Sequence, residues 1–122
     1  IYTRSFINST LRELSTKIAH VFEANGATSR QVMMAPAWRE HQDSAFMQLT
    51  SDTFNDVLGW RPRMVAMHFV LEAGYFVSKF PGIEIACIGP RIVEPHSTSE
   101  RVELSTVEDI WKVLLEMLSR LA

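Results

Sequence analysis

The stretch from Ile83 to Leu121 leaves the chain the fewest ways to fold. It opens on a short apolar run (Ile83, Ile85, Ala86, Cys87, Ile88), too brief for a helix and bounded by turn residues, which predicts a buried strand. Gly89-Pro90 then forces a corner, and a polar loop carrying Pro95-His96-Ser97 follows. The closing segment predicts an amphipathic helix with Val107, Ile110, Trp111, Leu114, Leu118 and Leu121 on one face. Ser105 with Glu108 three residues on has the spacing of a capping box at its start. A loop beyond the carboxyl end of a strand is where open α/β sheets place their ligands, which singles out His96.

Upstream, strand-like and helix-like patterns alternate. Ile1 to Phe6 reads as a strand with Arg4 its only charge, and Arg30 to Ala35 as a second, stopping at Pro36. Between them Leu11, Leu14, Ile18, Val21 and Phe22 trace a helical stripe, capped by Asn8 or Thr10 and ended by Asn25-Gly26. A further helix from Ser44 to Leu58 buries Phe46, Leu49, Thr53 or Phe54, and Val57, with Asp43 as its N-cap and Gly59 as its stop. Arg63 to Met67 reads as a strand, and a short helix through Leu71, Glu72 and Tyr75 reaches Phe80 before the Pro81-Gly82 turn. Such alternation argues for α/β architecture, a parallel or mixed sheet with helices on its faces. The aperiodic turn at Pro36-Ala37-Trp38 is where the sequence places a domain boundary.

Composition narrows the function classes. Twelve basic against fourteen acidic residues give a net charge of −2, scattered along the chain, so no basic stripe suggests nucleic acid. No apolar run is long enough for a membrane span. The single cysteine, Cys87, falls in the predicted buried strand and reads as a structural thiol. The chain begins at Ile1, directly in strand-like sequence, which suggests an excised piece of a cytosolic protein.

Three histidines invite a metal reading. His41-Gln42-Asp43 has a ligand-like spacing but lies before a helix, where a solvated His41 is the simpler account. His68 and Glu72 stand four apart, so on a helix they would share a side. If the strands ending at His68 and Gly89 pair in parallel, both open onto one rim beside His96. His96 lacks companions for the three or four ligands that zinc takes, so any metal cage must be completed elsewhere.

Several dispersed motifs occur together in a family order: Thr3-Arg4-Ser5, Gly26-Ala27, Pro36-Ala37-Trp38, His68 to Gly74, and Gly89-Pro90-Arg91-Ile92 through Pro95-His96-Ser97 to a helix with Trp111. The chain resembles the C-terminal segment of the bacterial aminoacyl-histidine dipeptidases, Xaa-His dipeptidases of the peptidase D, carnosinase-like type. That resemblance implies a ferredoxin-like lid inserted into a zinc-aminopeptidase-like α/β catalytic domain. Residues 1–35 would be the last strand–helix–strand of the lid, which forms a homodimer contact, and residues 36–122 the C-terminal part of the catalytic domain. It further implies that Arg4 grips the carboxylate of a dipeptide substrate, that Val70 and Glu72 line the substrate site, and that His96 is a zinc ligand. In the family two zinc ions share a bridging water, lower its pKa and polarise the scissile carbonyl.

The general base and the other ligands would lie in polypeptide upstream of Ile1, so this chain alone is expected to be inactive. A cytoplasmic location is implied as well. Two departures stand out. Val70 replaces a family glycine and adds bulk beside the substrate, and Thr98-Ser99 replaces Pro-Asp. The alternative is a non-catalytic binding or dimerisation module that retains the peptidase fold.

Overall fold

Helices account for most of the regular structure, because their hydrogen bonds close within four residues and need no distant partner. The computed structural model describes residues 1–32, 35–39, 43–67 and 71–122. His41, His68 and Val70 lie outside the described residues. In order, the elements are α1 (Asn8–Ala24), α2 (Ala45–Leu58), α3 (Ala73–Lys79), β1 (Ile92–Val93), β2 (Arg101–Val102) and α4 (Leu104–Leu121). The chain divides into two compact units, one of Ile1–Glu40 with Val65–Glu84, the other of His41–Met64 with Ile85–Ala122.

In the first unit, α1 buries Leu11 and ends where expected. Gly26 takes a left-handed φ of 80°, and Gly26 and Ala27 return their N–H groups to the carbonyls of Glu23 and Phe22, both at 3.0 Å. The expected side-chain cap is absent. Ile7 is the N-cap residue, and Asn8 instead turns its side chain to residue 37, Oδ1 accepting from the Ala37 N–H at 2.8 Å. Ser15 donates to the Leu11 carbonyl at 2.9 Å, leaving the Thr3 hydroxyl to donate to Ser15 at 2.8 Å. Pro36 and Trp38 pack on buried Gly74, where a Cβ would run into the Pro36 carbonyl oxygen. Only glycine permits that approach.

The second unit is built on the α2–α4 pair. Phe54, Val113 and Met117 form its core, with Phe46, Val57, Leu58 and Ile110 packed around them. Trp60 stacks on Phe54 at a tilt, ring centroids 5.4 Å apart. Thr50 and Thr53 are fully buried, each satisfied by donating to the carbonyl four residues back (Phe46 and Leu49) at 2.8 Å. Arg120 of α4 reaches Asp56 of α2 and Glu116 of its own helix, both at 2.9 Å. Gly59 closes α2 with a φ of 78°, as its sequence position predicts.

Several expectations are corrected. The N-cap of α2 is Ser44, not Asp43; its Oγ accepts from the Met47 N–H at 3.2 Å. The Ser105–Glu108 capping box does not form. Ser105 donates to Glu103, and Glu108 pairs with Lys112 at 2.7 Å, one turn along. The buried seam of α4 runs through Ile110, Val113 and Met117, whereas Val107, Trp111, Leu114, Leu118 and Leu121 are exposed. The apolar arc of this helix is wider than one packing surface, and periodicity alone does not say which flank meets α2.

The largest correction concerns the sheet. Among the described residues, none of the four expected strands (1–6, 30–35, 63–67 and 83–88) pairs in a ladder. Among the described residues, regular sheet is confined to β1 and β2, antiparallel with Ile92 opposite Val102 and Val93 opposite Arg101. Tyr2 and Val32, which fall within two of these segments, are 84% and 83% exposed. A strand's ladder bonds come from a neighbouring strand, and among the described residues only β1 and β2 supply one another in this way. Cys87 is likewise exposed rather than buried, although partial desolvation still pushes its thiol up.

Candidate functional site

His96 stands in the loop that joins β1 to β2. The ladder ends at Val93 and resumes at Arg101, so seven residues must reverse direction without regular structure. They do so with two left-handed residues, Glu94 at φ 53° and His96 at φ 65°. Neither is glycine, and both conformations are disfavoured for a residue with a Cβ. The turn is held by side chains of its own. The Glu100 carboxylate accepts the His96 N–H at 2.8 Å. Ser97 donates to the Glu94 carbonyl at 2.8 Å and accepts from the Ser99 N–H at 3.1 Å. Arg101 clasps the Glu94 carboxylate and the Ser99 carbonyl, each at 3.1 Å.

The base of the loop is tied to α4. The Arg91 N–H donates to the Thr106 hydroxyl at 2.9 Å, and the Glu103 N–H donates to the Arg91 carbonyl at 3.0 Å. His96 is exposed, and among the described residues no group hydrogen-bonds its ring. A neutral imidazole in that setting offers a ring nitrogen as a metal donor. Among the described residues no three His, Cys, Asp or Glu side chains converge to hold a metal ion. The donor chemistry fits one ligand of a shared centre, and these residues do not by themselves fit a two-zinc site.

The remaining candidates belong to the other unit. Arg4 is exposed, outside any regular element, a few residues before α1. Its planar fork suits a carboxylate, which it can meet through two parallel charge-assisted bonds. Glu72 is exposed at the N-cap of α3, where its carbonyl accepts from the N–H groups of Tyr75 and Phe76 at 3.0 and 3.3 Å. Val70 and His68 lie outside the described residues, and so does the expected meeting of strand ends at His68 and Gly89.

The hairpin itself was not anticipated. Its signal is present as two apolar-containing pairs, Ile92-Val93 and Arg101-Val102, flanking a loop rich in Pro, Ser and Thr. Glu100, four residues beyond His96, carries no such signal.

No family model matches the chain. Over 118 residues it is 28% identical to the cytosol non-specific dipeptidase of Escherichia coli (strain K12), covering 97% of this chain and 24% of that protein. It also superposes on the crystal structure of aminoacylhistidine dipeptidase from Vibrio alginolyticus with a TM-score of 0.67 at 30% sequence identity. That likeness covers 92% of this chain and 24% of the other. The chain therefore spans about a quarter of the length of the relatives it matches. The resemblance carried by the motifs is to dipeptidases, in sequence and in fold, and it extends over nearly all of these 122 residues.

Proposed function

We propose that this chain is the C-terminal part of a zinc-dependent dipeptidase that hydrolyses Xaa-His-type dipeptides. Residues 1–35 are the end of a lid that also makes a homodimer contact, and residues 36–122 the C-terminal part of the catalytic domain. His96 is one ligand of a two-zinc centre whose other ligands and general base come from polypeptide outside these residues. Arg4 binds the substrate's terminal carboxylate, and Glu72 and Val70 line the substrate site. Without the missing groups this chain alone has no turnover. The enzyme acts in the cytoplasm, in line with the cytosolic name of the Escherichia coli relative.

The observation that carries this reading is the 30% identity and shared fold with a solved aminoacylhistidine dipeptidase, together with an exposed His96 on a built turn. The broad exposed flank of α4, with Trp111 57% and Leu104 76% exposed, is in keeping with a larger protein folding over it. The test is zinc content and dipeptide turnover of the full-length protein with and without His96→Ala. Losing a ligand should lower kcat/KM by more than about 100-fold, beyond the roughly 10–100-fold that groups merely orienting a ligand are worth. Undiminished turnover would remove His96 from the chemistry. Background zinc and no turnover in the unaltered protein would favour the non-catalytic binding module instead.

A further inference from the structure

The left-handed main chain at His96 needs something to hold it, because φ of 65° is disfavoured for any residue with a Cβ. The two left-handed residues of the turn are held by separate groups. Glu94 is fixed by Arg101 through its carboxylate and by Ser97 through its carbonyl. His96 is fixed by Glu100, whose carboxylate accepts its N–H at 2.8 Å, a charge-assisted bond. Glu100 is in turn placed by its own N–H, which donates to the Ser97 carbonyl at 3.3 Å, and by its position one residue before β2. The main-chain angle at His96 sets the direction in which its Cα–Cβ bond leaves the loop, and therefore where the imidazole is presented.

We infer that Glu100 is a positioning residue, holding the His96 main chain in the left-handed turn and so fixing the line along which the imidazole is presented to a metal ion. The link to a metal rests on the dipeptidase reading; the hold on the main chain does not. Glu100 acts on a backbone N–H, so an uncharged acceptor of the same length should serve. Glu100→Gln keeps an acceptor oxygen and Glu100→Ala removes it.

Two readouts test the inference. In the full chain, residue-resolved amide exchange at His96 should speed up by about tenfold or more in Glu100→Ala, the effect of losing a hydrogen bond to a charged group, and stay near the unaltered rate in Glu100→Gln. In the full-length protein, affinity for zinc alone should weaken roughly 10–100-fold in Glu100→Ala and be restored by Glu100→Gln. An unchanged His96 exchange rate in Glu100→Ala overturns the inference. So does a zinc affinity that falls in His96→Ala but not in Glu100→Ala. If His96→Ala itself leaves zinc affinity unchanged, the dipeptidase reading fails, and the exchange rate still decides whether Glu100 holds the turn.

Discussion

The hairpin loop around His96 and the four segments that the sequence marks as strands differ in where their hydrogen bonds come from. Between Glu94 and Arg101 each bond reaches a partner a few residues away, and the two ends of the loop are closed by β1 and β2. The expected strands at 1–6, 30–35, 63–67 and 83–88 need neighbours far away in the chain, and among the described residues they form no ladder. The α2–α4 pair shows what distant contact adds once each helix has closed its own bonds: Phe54 meets Val113 and Met117 in a core, whereas Tyr2 and Val32 stay exposed. Local bonding gives structure to a short chain by itself. A strand forms a ladder only beside another strand.

The contrast can be broken most forcefully at Phe54. Cutting it to alanine removes a ring from a closed core and should cost about 3–5 kcal/mol, read as a lower denaturation midpoint. Tyr2→Ala or Val32→Ala in the same chain should change stability by less than about 0.5 kcal/mol, because neither side chain is buried. Equal losses at the two kinds of site would mean that the expected strands already pack.

A smaller effect sharpens the comparison through pH. Asp52 on α2 accepts from Gln48 and pairs with Arg61, and these partners hold its carboxyl below the ordinary value. A carboxyl depressed in the folded state stabilises the fold above the unfolded value of about 3.9 and loses that contribution as pH falls through its folded value. Acid should therefore weaken the α2 surface below about pH 4, and Asp52→Asn should flatten that part of a stability–pH curve. Because Asp52 is open to solvent, the change should be slight and fade with added salt.

What the sequence made legible follows the same division. The helices and their glycine stops at Gly26 and Gly59 were readable because the signals are local: a stripe of apolar residues and a residue free to take positive φ. Helix starts were less so, since Asp43 and Ser44 are both capable caps and only the chain's path selects Ser44. The flank of α4 that packs was hidden because apolar residues occupy both flanks, and Val113 and Met117 fall on the one that meets α2. Thr50 went unmarked because its hydroxyl reads as polar until it is seen bonded to its own helix. His96 was legible as a candidate through its Pro-His-Ser setting. Glu100 was not, since a carboxylate capping a backbone N–H leaves no compositional trace.

The most direct test is a crystal structure of the full-length protein grown with zinc. The account predicts an imidazole nitrogen of His96 about 2.0–2.1 Å from a zinc ion. It also predicts the Glu100 bond to the His96 N–H retained and the segments at 1–6, 30–35, 63–67 and 83–88 paired in ladders with polypeptide from outside this chain. Zinc bound elsewhere with His96 turned to solvent, or those four segments still unpaired in the complete protein, would contradict it.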